Sequence, residues 1–213
     1  MQPVVCMISD RRRLGERAGD ALIRRVALAA RAGIHLIQIR ERDMPDGELL
    51  SLVMQAVGAV RGTRTRVLVN DRVDVAIAAA AHGVHLRGDS APARRIRQIA
   101  PASFLIGRSV HARDEIAQVC AEGDVDYLLF GTVLETASKP DRQPAGVTGL
   151  ADAVHAAKGV PVLGVGGMTL ESVGQLHRTG CAGFAAIGQF ADVPENDMAR
   201  TVTAALRAWD NQR

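Results

Sequence analysis

The chain has 213 residues, 47% hydrophobic and 23% charged, enough to bury a sizeable core without disulfide or metal staples. Its net charge is +3 with 3% aromatics, and the densest basic run, Arg11-Arg12-Arg13, has no aromatic beside it, which argues against nucleic-acid binding. An acidic small substrate such as a phosphate ester suits the arginine content better.

The first predicted strand covers residues 4–9, "VVCMIS". Charges follow this short apolar run, the reverse of a secretory leader, and no apolar stretch approaches the roughly 20 residues that span a bilayer. A cytoplasmic protein with no membrane contact is expected. Cys6, Cys120 and Cys181 are odd in number and too far apart in sequence for metal-ligand spacing, and Cys6 and Cys181, in apolar runs, read as buried thiols. A helix is predicted over 16–33, where Ala21, Leu22, Val26 and Ala29 recur at helical spacing and Gly33 ends it. Strand two follows at 34–40, then a helix at 46–62 with Asp46 as its N-cap. Strand three is 66–70, and an alanine-rich helix over 72–82 ends before Gly83. Strand four is 83–86, with a helix at 91–101. Strand five is 104–109, with a helix at 112–123. Strand six is 127–131, and a long loop over 132–146 leads to a helix at 147–158. Strand seven is 161–167, with a helix at 170–180. Strand eight is 181–188, and the last helix is 197–209.

Eight consecutive βα units of about 25 residues, unbroken by any linker, predict an α/β fold: a parallel (β/α)8 TIM barrel with outer helices, one domain over 1–213. An open doubly wound sheet is the alternative, although no G-x-G-x-x-G follows strand one. In a barrel the site lies at the C-terminal strand ends, and polar residues gather at nearly every one.

Gly166-Gly167 after strand seven and Ile187-Gly188 after strand eight occupy the usual phosphate place of such barrels, where glycine lets backbone N–H groups approach. Tight turns are the alternative reason for these glycines. Gln38, Arg40 and Arg42 alternate and so share the inward face. Two inward guanidiniums require anions, either a substrate or a structural salt bridge with Glu41 or Asp71. Asp71, after Asn70, is read either as a magnesium ligand or as the cap of helix three. His111, two residues beyond Ser109, is read either as a general acid or base near neutral pH or as a cap of helix five. His35 and His85 lie within strands and read as structural, His85 with the option of facing the barrel mouth. Thr136, Ser138 and Lys139 in "ETASKP" offer hydroxyls and an ammonium for phosphate contact, or belong to a solvated loop. That loop is long enough to close over a substrate.

Taken in order, "QIRER", "VNDRVDVA", "GVHL", "IGRSVH", "DYLLFGTVLETASK", "VLGVGGMT" and "AAIG" resemble the thiamine phosphate synthase and thiazole tautomerase family over about 4–190. The resemblance implies a (β/α)8 barrel acting on a small phosphorylated heterocyclic substrate. Of the family's two activities, the synthase joins a pyrimidine diphosphate to a thiazole phosphate and releases diphosphate with magnesium (Mg2+). The tautomerase aromatises a thiazole carboxylate phosphate by moving a proton and needs no cofactor. By position, Gln38, Arg40, Asn70, Asp71, Ser109, Thr136, Ser138 and Lys139 match polar synthase positions. Gly166, Gly167 and Gly188 match the thiazole-phosphate site, and His111 matches the tautomerase acid–base.

Two departures weigh against the synthase. Arg42 stands where its motif has lysine. Ser90 stands where it has a metal-binding aspartate, with Asp89 one residue early. "IRER", "IGRSVH" and "LLFGTVLET" look closer to tautomerases, while "VNDR" keeps the synthase-like Asp71. The expectation is therefore a thiazole tautomerase-like isomerase. In it His111, beside Ser109, moves the ring proton, Arg40 and Arg42 hold the carboxylate, and glycine amides anchor the phosphate. The alternative is the synthase, with Asp71 alone or with Asp89 holding magnesium. A non-catalytic phosphate-ligand sensor on the same barrel is a third reading. A homodimer is expected on base rates.

Overall fold

The computed structural model describes residues 2–15, 18–136 and 143–210. Eight parallel strands close into a barrel in chain order: β1 (Val4–Ile8), β2 (Leu36–Ile39), β3 (Arg66–Asn70), β4 (Gly83–Leu86), β5 (Leu105–Val110), β6 (Tyr127–Gly131), β7 (Val162–Val165) and β8 (Gly183–Ala186), which returns to β1. This is the predicted TIM barrel. Around it run α1 (Ala18–Arg31), α2 (Asp46–Ala59), α3 (Val73–Ala78), α4 (Ala93–Arg97), α5 (Arg113–Glu122), α6 (Gly146–Ala156), α7 (Leu170–Leu176), the short α8 (Gly188–Ala191) and α9 (Met198–Asp210).

The strands are apolar on both faces, as parallel strands covered by helices must be. Alternation then sorts their residues into two layers. Val5, Met7, Ile37, Val67, Val84 and Ile106 point outward into the layer under the helices. Cys6, Leu36, Leu68, Tyr127, Leu163 and Ala185 point inward and fill the barrel. At β5 the inward position is Gly107, level with His85 on β4 and Tyr127 on β6.

Several element ends differ from expectation. The helix predicted over 72–82 stops at Ala78, because Ala80 takes a positive φ of 51°. Strand eight ends at Ala186, and the turn beyond it forms α8, which had no separate signal. Asp46 does not cap α2. Pro45 holds that position without a side-chain cap, and the Asp46 carboxylate instead accepts from the Arg72 guanidinium at 2.5 Å. Among the described residues no helix is long and apolar enough to cross a membrane.

Candidate active site

Above the barrel's filled interior, at the C-terminal strand ends, lies a cavity of about 380 Å3. Its walls come from the next inward layer, two residues beyond those that fill the barrel: Leu36 gives way to Gln38, Leu68 to Asn70, Gly107 to Ser109, Tyr127 to Leu129, Leu163 to Val165 and Ala185 to Ile187. The lining is two-sided. Strands β2 to β5 contribute Gln38, Asn70, His85 and Ser109, whereas β6, β7, β1 and the residue just beyond β8 contribute Leu129, Val165, Ile8 and Ile187. Asp10, Arg13, Arg40, Arg42, Arg87, His111, Gly131, Thr132, Thr136 and Gly166 complete the lining.

Arg40 and Arg42 both reach this cavity, although β2 ends before them. Neither has a carboxylate within ion-pair distance among the described residues. The alternative reading, a structural salt bridge with Glu41 or Asp71, is not met, because Asp71 is engaged by Ser90 and Arg87 and Glu41 is engaged too. Its buried carboxylate accepts the Ser9 hydroxyl at 2.5 Å, the Arg11 backbone N–H at 3.2 Å and the Arg11 guanidinium at 3.1 Å. The Ser9 oxygen in turn accepts the Arg40 backbone N–H at 2.8 Å, which fixes where Arg40 leaves the strand. Burial lowers the affinity of the Arg40 guanidinium for its proton, and the neighbouring Arg42 lowers it further. An anion is what this pair lacks.

His85 faces the mouth. It is only 2% exposed, with Nδ1 2.9 Å from the Tyr127 hydroxyl and Nε2 2.8 Å from the Ser109 hydroxyl. Burial, with help from the Arg40 charge, pushes its pKa down to about 3, so the ring is neutral at physiological pH. A Cβ on Gly107 would fall on the Tyr127 ring, so glycine there is what lets the tyrosine reach across β5 to His85. Tyr127 had no place among the candidates. The available signal was a glycine at an inward position between two large polar rings.

His111 lines the cavity, but its Nδ1–H is donated to the Gly131 carbonyl and its backbone N–H to Glu115 Oε2 at 2.6 Å. A carbonyl can only accept, so the Nδ1 proton is committed to tying β5 to the end of β6.

At the opposite rim Gly166, with φ of 104°, lines the cavity. Gly167 does not. Its positive φ and the close approach of the Leu134–Glu135 backbone, where a Cβ would overlap the Glu135 carbonyl, account for the second glycine. Ile187 lines the cavity, and Gly188 begins α8. A Cβ on Gly188 would sit 2.9 Å from an Asp192 carboxylate oxygen and 3.7 Å from the Arg13 guanidinium. That guanidinium donates to Asp192 at 2.7 and 2.9 Å and to Asp10 at 3.2 Å. Arg13 and Asp10 were not singled out from sequence. Thr136 lines the cavity, whereas Ser138 and Lys139 lie outside the described residues.

Asp71 and Asp89 do not form the magnesium seat that the family resemblance implies. Asp71 has φ of 65°, and its carboxylate accepts the Ser90 hydroxyl and lies 3.5 Å from the Arg87 guanidinium. Asp89 points outward and pairs with the same guanidinium at 2.5 Å. Arg87 thus stands between the two carboxylates, where a shared cation would have to sit. Among the described residues no group of three His, Cys, Asp or Glu side chains is placed to hold a metal ion. Asp71 does not cap α3 with its side chain either. Arg108, pointing outward from β5, holds the loop in this form by donating to the carbonyls of Gly88 (2.8 Å), Ser90 (2.9 Å) and Ala91 (3.1 Å).

The family model described as "Thiamine monophosphate synthase" matches residues 5–190. A thiamine-phosphate synthase of Roseiflexus sp. (strain RS-1) is 37% identical over 96% of this chain and 84% of its own length. A putative thiamine-phosphate synthase of Geobacter sulfurreducens is 35% identical over 94% of this chain and 92% of its own length. The solved thiamine phosphate pyrophosphorylase of Pyrococcus furiosus superposes with a TM-score of 0.83 at 27% identity, covering 98% of this chain and 96% of the other. These relatives overturn the expectation of a tautomerase-like isomerisation. Identity of 35 and 37% spread over nearly the whole chain joins it to proteins named as synthases, and the short strings that pointed elsewhere do not outweigh it. The proton-moving role expected of His111, and the carboxylate-holding role of Arg40 and Arg42, fall with that reading.

Proposed function

The chain belongs to the thiamine monophosphate synthase family, and from that premise we propose that it is a transferase joining hydroxymethylpyrimidine diphosphate to thiazole phosphate. The observation that carries this reading is the two-sided cavity: an apolar half from β6, β7, β1 and the residue just beyond β8 facing a polar half from β2 to β5. Two heterocycles can lie against the apolar wall while their charged groups meet opposite rims.

The chemistry makes limited demands. The bond from the pyrimidine methylene carbon to the diphosphate oxygen breaks, and that oxygen keeps the electron pair. The thiazole ring nitrogen supplies its lone pair to the same carbon, forming the new C–N bond and a thiazolium cation. No proton has to be removed. This agrees with a cavity in which His111 is committed through Nδ1 to a carbonyl and His85 is a buried neutral ring. The protein's contribution is to position both partners and to stabilise charge on the leaving group. Arg40, half-buried and without a carboxylate partner among the described residues, is assigned to the departing diphosphate, with Arg42 beside it and Gln38 and Asn70 on the same wall. The thiazole phosphate is assigned to the rim formed by Gly166, Ile187, Gly188 and Arg13, with Thr136 nearby.

The test is direct. The purified protein is incubated with both phosphorylated precursors, and thiamine phosphate and diphosphate are measured together. Equal amounts of the two products, absent without protein, are expected. No thiamine phosphate above the protein-free control would sink the assignment.

A further inference from the structure

Hydrogen-bond accounting at β4, β5 and β6 settles which way a serine points its proton. Tyr127 is 6% exposed, and among the described residues its hydroxyl has His85 Nδ1 as its hydrogen-bond partner. A phenol O–H left unpaired in such a place is costly, so it is donated to Nδ1. A neutral imidazole carries one N–H, which must then be on Nε2. The group facing Nε2 is the Ser109 oxygen, 2.8 Å away, which therefore accepts. The Ser109 hydrogen is left with no acceptor among the described residues, and Ser109 lines the cavity. The reverse arrangement, with Ser109 donating to Nε2, would put the proton on Nδ1 and strand the tyrosine O–H in the barrel interior.

We propose that Tyr127 and His85 are positioning residues forming a two-link relay that makes Ser109 a hydrogen-bond donor toward the cavity, so that the substrate atom it meets is an acceptor. The strand register builds the relay: His85, Gly107 and Tyr127 are level on adjacent strands, and Gly107 contributes no side chain between them. The neutral state of His85 follows from burial and the nearby Arg40 charge, which keeps the second ring proton off. The substrate that reads this donor rests on the synthase reading, which makes the pyrimidine diphosphate the ligand to probe. The proton arrangement itself does not depend on that reading.

Two measurements test the relay. Nitrogen-15 NMR of histidine-labelled protein is expected to show His85 neutral and protonated on Nε2. In Tyr127→Phe that preference is expected to be lost, with the protein still folded. A steady-state double-mutant cycle then uses Tyr127→Phe, Ser109→Ala and the pair. Each single change is expected to raise KM for the pyrimidine diphosphate about three- to tenfold, the worth of one ordinary hydrogen bond. Tyr127→Phe is expected to add little once Ser109 is gone. A wild-type His85 protonated on Nδ1 or doubly protonated, or single effects that multiply in full, would overturn the proposal. If the wild type makes no thiamine phosphate at all, the synthase reading fails while the NMR result still decides the relay.

Discussion

Gly107 and Tyr127 are level on neighbouring strands, and the missing side chain of the first leaves the space that the ring of the second occupies. Gly107→Ala forces that ring to move, because the new methyl falls on it and the barrel interior has no slack. The expected cost is about 1–3 kcal/mol, the usual range for overpacking. For a domain of this size that is a fall in Tm of roughly 2–10 °C. Thermal unfolding measures it, and an unchanged Tm would show that the ring has room elsewhere. Because the ring carries the contact to His85, Gly107→Ala is also expected to weaken substrate binding in the way Tyr127→Phe does.

His85 makes stability depend on pH with a definite sign. Its native pKa lies near 3, below the ordinary 6.5, so between these values the unfolded chain takes up a proton that the native state excludes. Stability from this group is complete above about 6.5 and is lost as pH falls, at about 1.4 kcal/mol per pH unit. Burial lowers His35 and His82 too, and they act in the same direction. Comparing wild type with His85→Gln by denaturant unfolding between pH 6.5 and 4 therefore isolates one residue. A flatter curve for the variant is expected, and parallel curves would refute the assignment.

The barrel was legible because alternation and the βα repeat are local signals. The same period-2 pattern placed Gln38 on the inner face, Asn70 and Ser109 stood out as polar strand ends, and all three line the cavity. What escaped was set by partners distant in sequence. Arg13 meets Asp192 across a separation of 179 residues. Gly167 is required by the backbone of a different loop, and Glu41 was taken by Arg11 before Arg40 could claim it. The choice of activity was misread for a related reason. Strings of a few residues at strand ends are shared between two chemistries on one scaffold, so they carry less than identity over the whole chain.

Ser90 and Arg87 set how the free protein treats divalent ions. Arg87 pairs with both Asp71 and Asp89 and offsets one of their two charges, while occupying the space between them, so a cation meets a single net negative charge there. Electron paramagnetic resonance with Mn2+ as a probe is expected to show only weak binding to the ligand-free wild type. Ser90→Asp places a second carboxylate against Asp71 and is expected to tighten Mn2+ at least severalfold. Identical titrations would mean that a carboxylate at position 90 does not reach a cation held by Asp71.

Arg40 is where the synthase reading is most exposed to failure. Its guanidinium is half-buried and has no carboxylate partner among the described residues, while its backbone is pinned through Ser9 to the buried Glu41. A cation held in place and unpaired is suited to charge that appears only as the diphosphate departs. Arg40→Ala removes a charge-assisted contact worth about 1.5–3 kcal/mol, so kcat is expected to fall about tenfold to a hundredfold. Arg40→Lys keeps the charge but not the planar fork, and is expected to recover part of that loss. The protein should stay as stable as wild type, since a lone cation leaving a cavity strands no partner. If Arg40→Ala instead raises KM for thiazole phosphate and leaves kcat alone, the two rims of the cavity have been assigned the wrong way round.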